Sequence, residues 1–275
     1  MGPFKVACIQ NCAGNNQTEN LIKIESLVRA ASADGGELIC LPEFYSLLEP
    51  NDSDYSEHGW DMESHPALMH AKSLAAELRC WLLLGSIPVK TSSQKVYNRC
   101  ILLNTNGHEV GYYDKLHLFD VAIKDGQEYK ESRNVMPGDS ARVLSMPWGD
   151  LGLTICYDIR FPGLYRALAQ AGASFISVPA AFTETTGSAH WHALIRSRAI
   201  ETGSYIFAPG QSGVRSWGRR TYGHSLIVDP WGVVLADGGV NEGYIIAEID
   251  PEKSVIARQM IPSLCHDVPF RVTRN

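Results

Sequence analysis

The chain has 275 residues, 45% of them hydrophobic, enough to bury a large core in one α/β domain or in two smaller ones. Its 30 acidic residues outnumber its 24 basic ones and no Lys/Arg run exceeds two, so nucleic acid and anionic membranes have no electrostatic footprint here. No stretch of about 18 apolar residues offers a membrane span, and the amino terminus, MGPFKVACIQ, lacks the basic and apolar regions of a signal peptide.

In chain order, FKVACIQ (4–10) predicts a strand and TENLIKIESLVRAAS (18–32) a helix with Thr18 as its N-cap. ELICLPE (37–43) predicts a strand and HPALMHAKSLAAELR (65–79) a second helix. WLLLGSIPV (81–89), YNRCILLN (97–104) and EVGYYDK (109–115) predict three more strands. The interval from Lys115 to Leu151 carries few strand signals and reads as a long functional loop. The pattern then restarts with a strand at LGLTICYD (151–158), a helix at FPGLYRALAQAG (161–172) and a strand at SFISVPAAF (174–182). A helix across SAHWHALIRSRAIET (188–202) and a strand at SYIFAPG (204–210) follow. GHSLIVDPWG (223–232) and VVLADGG (233–239) predict a hairpin, and GYIIAEID (243–250) the closing strand of this second half.

Strand–helix–strand–helix–strand, then hairpins, thus occurs twice. The strands are apolar at nearly every position and need cover on both faces, whereas each helix carries one apolar stripe. Two mixed sheets packed face to face, each covered outside by its own helices, satisfy both. The expected fold is an α/β, four-layer α-β-β-α sandwich, and without a linker or low-complexity tract the chain reads as one domain over residues 1–275. Seven cysteines, an odd number with no C-x-x-C pair, read as reduced thiols and predict a cytoplasmic protein.

Catalytic groups in α/β folds collect at the carboxyl ends of strands. Glu43 follows LICLP, Lys115 follows VGYYD and Cys156 follows GLTI, while Glu131 lies in the long loop. Singly, each has a plainer reading: an inert buried thiol, a helix-start carboxylate or a solvated charge. Together they are chemically coherent. A thiol with a pKa of about 8.5 needs a nearby cation or base to attack at neutral pH. A lysine favours the thiolate and stabilises an oxyanion, and a glutamate shuttles the proton.

The blocks LPEFY, YDKLHLF and ICYDIRFP, in this order and spacing, resemble the nitrilase superfamily of carbon–nitrogen hydrolases over essentially the whole chain. Further stretches such as ESRNVMPGD, SAHWHALIRSRAIET and YGHSLIVDPWG resemble its omega-amidase and deaminated glutathione amidase branch. The resemblance implies the same sandwich, a homodimer or larger homo-oligomer, and an amidase working through a Cys156 thioester without a cofactor. Glu43 would be the base, Lys115 and the Tyr157 backbone N–H the oxyanion donors, and Glu131 the residue that orients Lys115.

The expected substrate is a small carboxylate-bearing amide, deaminated glutathione or a keto-acid omega-amide; an N-carbamoyl amino acid or aliphatic amide is the alternative. A non-catalytic dimeric scaffold is the reading from another class. Arg160 and Arg133 are candidates to hold a carboxylate, although Arg160 could equally pair with Asp158 or Glu201. Phe182, Thr185 and Thr186 are candidate pocket residues, although TTG also fits the start of a helix. A Cys–His mechanism through His117 or His224 is a further alternative. No acidic or cysteine spacing completes a metal site with His117, His190, His192 or His224, so no metal is expected. P-loop, G-x-G-x-x-G and G-x-S-x-G motifs are missing.

Overall fold

The computed structural model describes residues 2–50, 55, 59–122 and 128–274. The first half runs β1 (Phe4–Gln10), α1 (Gln17–Ala33), β2 (Leu38–Cys40), α2 (Pro66–Leu78), β3 (Trp81–Lys90), β4 (Val96–Leu103) and β5 (Glu109–Asp114). A small hairpin of β6 (Asp120–Ala122) and β7 (Glu128–Lys130) follows. Next come β8 (Arg142–Met146), β9 (Gly149–Leu153), α3 (Pro162–Gln170), β10 (Phe175–Ser177), α4 (Glu184–Thr202) and β11 (Tyr205–Ala208). The chain finishes with the hairpin β12 (Ser212–Val214) and β13 (Arg220–Tyr222), then β14 (Leu226–Val228), β15 (Val234–Asp237), β16 (Gly243–Ile249) and α5 (Glu252–Met260).

Two six-stranded sheets carry the fold, in the orders β16-β1-β2-β3-β4-β5 and β15-β14-β11-β10-β9-β8. Each has three parallel strands at its centre and antiparallel strands on both sides. The halves therefore match strand for strand, with one exchange. The antiparallel strand beside β9 is its own predecessor β8, whereas the one beside β1 is β16, from the far end of the chain. GYIIAEID thus closes the first sheet, not the second half in which it lies: β8 and β15 already occupy the edges of the second sheet.

The layers follow from strand alternation. In β1, Val6 and Cys8 point into the core between the sheets, while Ala7 and Ile9 face Ile24 and Val28 of α1 and, with Leu82 and Leu84, Leu68 and Leu74 of α2. In the second sheet Gly152 lies under α3, where an added Cβ would press on Leu168 and Ala173. Rings stitch the sheets together. Phe4 of β1 stacks on Trp148 at 4.2 Å and meets Phe175 of β10 edge-on at 5.6 Å. The fold is the four-layer α-β-β-α sandwich, with α1 and α2 outside one sheet and α3 and α4 outside the other.

Several local expectations are corrected. The cap of α1 is Asn16, whose side chain accepts from the Glu19 N–H at 3.3 Å and donates to the Glu19 carboxylate at 2.8 Å, a reciprocal pair that Thr18 cannot form from inside the helix. Helix α4 begins at Glu184, so TTG belongs to it; Gly187 is needed because the Tyr222 ring lies where its Cβ would be. The interval after Lys115 holds the β6–β7 hairpin and edge strand β8, and α5 and the β12–β13 hairpin add to the expected elements.

Candidate active site

Four chains of local causes bring four side chains to one place. Glu43 follows β2 through Leu41–Pro42, and that segment lies against Gly85 in a bulge of β3. A Cβ at Gly85 would overlap the Leu41 and Pro42 carbonyl oxygens, so only glycine lets it pack there. The Phe44 N–H donates to Ser86 Oγ at 3.0 Å, completing the turn. Lys115 is the first residue beyond β5, and Glu131 opens a 3-10 turn after β7. Cys156 opens another such turn, three residues past β9.

Cys156 and Phe44 both have positive φ, +48° and +52°, in the left-handed region that side chains seldom occupy. Such strain persists where surroundings impose it. At Cys156 the restraint is Asp158, which is fully buried. Its carboxylate accepts from the Ile155 N–H at 2.8 Å, the Tyr113 hydroxyl at 2.8 Å, and the His117 N–H and Nδ1 at 3.1 and 2.7 Å. One carboxylate thus ties the cysteine turn to the segment carrying Lys115.

Lys115 Nζ donates to Glu43 Oε1 at 2.8 Å and to both oxygens of Glu131 at 3.1 and 2.9 Å. Asn98 Nδ2 bridges the same carboxylates at 3.0 and 3.1 Å. The second Glu43 oxygen accepts from the Ala181 N–H at 2.8 Å, and the second Glu131 oxygen from the Phe119 N–H at 2.7 Å. Cys156 lines the same pocket as Glu43, whose carboxylate acts on the thiol. All four side chains are buried.

The charges follow. Burial opposes the Lys115 ammonium, but Glu131 and Glu43 hold it well above the ordinary lysine range. Burial would raise Glu43, yet the Lys115 charge and its hydrogen bonds keep that carboxyl below the usual value. Burial, with the Glu43 charge, raises Glu131. Burial and the Glu43 charge push the Cys156 thiol well up, and Lys115 only partly opposes this. Two carboxylates share the lysine charge, which leaves burial and the Glu43 charge to favour the thiol form of Cys156.

The comparisons fit this geometry. The carbon-nitrogen hydrolase family model matches residues 5–259.

The chain belongs to the carbon-nitrogen hydrolase family.

It is similar to a deaminated glutathione amidase of Synechocystis, 41% identical over 98% of this chain and 99% of that one. It is also similar to the bovine omega-amidase NIT2, 34% identical over 95% and 94%. The crystal structure of the C. elegans NitFhit protein superposes with a TM-score of 0.91 at 32% identity, over 97% of this chain and 65% of that longer one. This carbon-nitrogen hydrolase is an amidase of the nitrilase superfamily, acting on non-peptide C–N bonds.

Its pocket opens over Cys156. Glu43, Lys115, Glu131 and Tyr157 line it, together with Phe182 and Thr186 of the expected residues. The backbone N–H of Tyr157, second in its 3-10 turn, has no acceptor among the described residues. The remaining wall is largely aromatic, from Phe44, Tyr55, Phe119 and Tyr129, with Thr183 hydrogen-bonded to Thr186 at 2.7 Å. Thr185 is exposed and outside the lining.

Neither expected arginine lines the pocket. Arg133 is exposed, and Arg160 lies outside, its guanidinium 5.4 Å from the Phe182 ring and 3.4 Å from His190 Nδ1. It pairs with neither Asp158 nor Glu201; Glu201 is bound by Arg198 at 2.7 Å. The arginine that does line the pocket is Arg219, 5.9 Å from the Tyr129 ring, with a buried Nε that has no hydrogen-bond partner among the described residues. The arginine-rich SGVRSWGRRTYGHS was the only sequence sign of it. His117 and His224 also lie outside the pocket, bound to Asp158 and Asp237, which leaves the Cys–His alternative without contact to the sulfur.

Proposed function

We propose that the chain hydrolyses a small carboxylate-bearing amide through a Cys156 thioester, with deaminated glutathione or a keto-acid omega-amide as substrate. Cys156 Sγ attacks the carbonyl carbon while Glu43 takes the thiol proton. Lys115 Nζ and the Tyr157 N–H receive the tetrahedral oxyanion; one such donor is worth about 2.7–4 kcal/mol. The C–N bond breaks, Glu43 returns the proton to the departing nitrogen, and ammonia or an amine leaves. Water then attacks the thioester, giving its proton to Glu43; the C–S bond breaks, and the proton returns to sulfur. Glu131 keeps Lys115 charged and directed.

The observation that supports this reading is a strained, thiol-bearing turn sharing one pocket with a carboxylate already bound to a buried lysine. Arg219 supports the carboxylate in the substrate. Lys115, held between two glutamates, serves the oxyanion, and Arg219, whose Nε has no partner among the described residues, is the other cation of the largely aromatic lining and the one placed to hold a carboxylate. The relatives named deaminated glutathione amidase and omega-amidase agree with such a substrate.

The reading extends to a homodimer in the cytoplasm. Exposed Ile200, Trp231, Met260 and Phe270 favour association, and seven unpaired cysteines favour a reducing compartment. The test is hydrolysis of alpha-ketoglutaramate, deaminated glutathione and an N-carbamoyl amino acid side by side. Turnover of either of the first two, with KM raised in Arg219→Ala, supports the proposal; turnover of the carbamoyl compound alone overturns it.

A further inference from the structure

Away from the pocket, three side chains from three elements converge on the outer side of the second sheet. His192 Nε2 of α4 lies 3.0 Å from Asp237 Oδ2, at the end of β15. His224 Nδ1, just before β14, lies 2.9 and 3.2 Å from the two Asp237 oxygens. One donor atom from each residue falls within 4.8 Å of the others. Asp237 stands 13 positions from His224 and 45 from His192, which is why sequence spacing completes no metal site.

The cluster is held in place. His224 has φ +49°, and its N–H bonds the Gly239 carbonyl at 2.6 Å. The Tyr222 ring stacks on its imidazole at 4.5 Å. The Gly239 N–H fixes Asp237 Oδ1 at 2.9 Å. Of the four positive-φ residues other than glycine among the described residues, Arg79 ends α2, Phe44 and Cys156 line the pocket, and His224 lies outside it. Backbone strain of this kind collects at active sites and ligand clamps.

We propose that His192, His224 and Asp237 form a site for a divalent transition metal of the zinc type. Two imidazoles and a single carboxylate select such an ion over magnesium or calcium, which take oxygen donors. Zinc lies about 2.0–2.2 Å from such donors, which puts tetrahedral ligand atoms about 3.3 Å apart. The histidine–aspartate separations here need widen by only a few tenths of an ångström. The ion would take the lone pairs of His192 Nε2 and His224 Nδ1, with the ring proton of each imidazole on its other nitrogen. The three side chains are 37%, 23% and 35% exposed, which leaves room for water as a fourth ligand. The ion would staple α4 to the β14–β15 hairpin. The His224 carbonyl in this staple already accepts from the Trp191 indole at 2.7 Å, and Trp191 packs on Phe182 of the pocket wall.

The test is titration of the chelator-treated full chain with Co2+ and with Zn2+. One Co2+ per chain is expected, with visible d–d bands and no thiolate charge-transfer band. The thermal midpoint should rise with Zn2+. His192→Ala and Asp237→Asn, folded as judged by circular dichroism, should each lose more than about tenfold in affinity, together with the thermal shift. Absence of binding, a thiolate charge-transfer band, or unchanged affinity in both variants (an adventitious ion only) would overturn the site.

Discussion

Glu43 and Glu131 share one lysine, yet their carboxyls are displaced in opposite directions, and this separates their contributions to stability and to turnover. Glu43, held below the ordinary value of 4.5, stabilises the fold above that pH and loses the contribution as pH falls through its folded pKa. Glu131 is raised, so its ionisation opposes folding as pH rises from 4.5 through its folded pKa. Glu131→Gln is expected to lower kcat by about 10²-fold or more, as an amidase assay would register. In the wild type, the acid limb of kcat/KM should begin above 4.5, when Glu131 takes its proton. With the Cys156 thiol pushed well up, the alkylation rate of that sulfur should show no midpoint at an ordinary thiol pKa; such a midpoint, followed by peptide mass spectrometry, would contradict the assigned resting state.

At the scale of elements, the turns beyond β2, β5 and β9 matter more than the strands themselves. Asp158→Ala removes the acceptor shared by Ile155, Tyr113 and His117. It should cost about 3–5 kcal/mol in denaturant unfolding, with activity falling further than stability explains because the Cys156 turn loses its tie to Lys115. Gly85→Ala forces the Glu43 segment off β3, and a loss of about 1–3 kcal/mol with a fall in kcat is expected. The central strands were legible because their apolar runs announce burial on both faces, and strand-end logic found Glu43, Lys115 and Cys156. Half-exposed β8 carries no such run, and the partnership of β16 with β1 joins opposite ends of the chain, beyond any local pattern. Arg160 illustrates the limit at the site. Its spacing from Cys156 brings the backbone near, but only the fold sets its guanidinium beside the Phe182 and Tyr157 rings, outside the pocket lining, and brings in Arg219 from a separate hairpin.

For the whole molecule, the two halves meet through apolar side chains between the sheets, and the proposed catalytic groups come from both: Glu43 and Lys115 from the first, Cys156 from the second. Packing between the sheets therefore sets the distance from Glu43 to Cys156. Phe4→Ala, which removes the ring joining Trp148 to Phe175, should cost about 3–5 kcal/mol in unfolding experiments. The most direct test of the account is the amide hydrolysis rate of Cys156→Ala, with folding verified by circular dichroism. A fall of at least about 10⁴-fold is predicted, because base and oxyanion donors without the sulfur have nothing to activate. A rate within tenfold of the wild type would contradict the assignment of this thiol as the nucleophile.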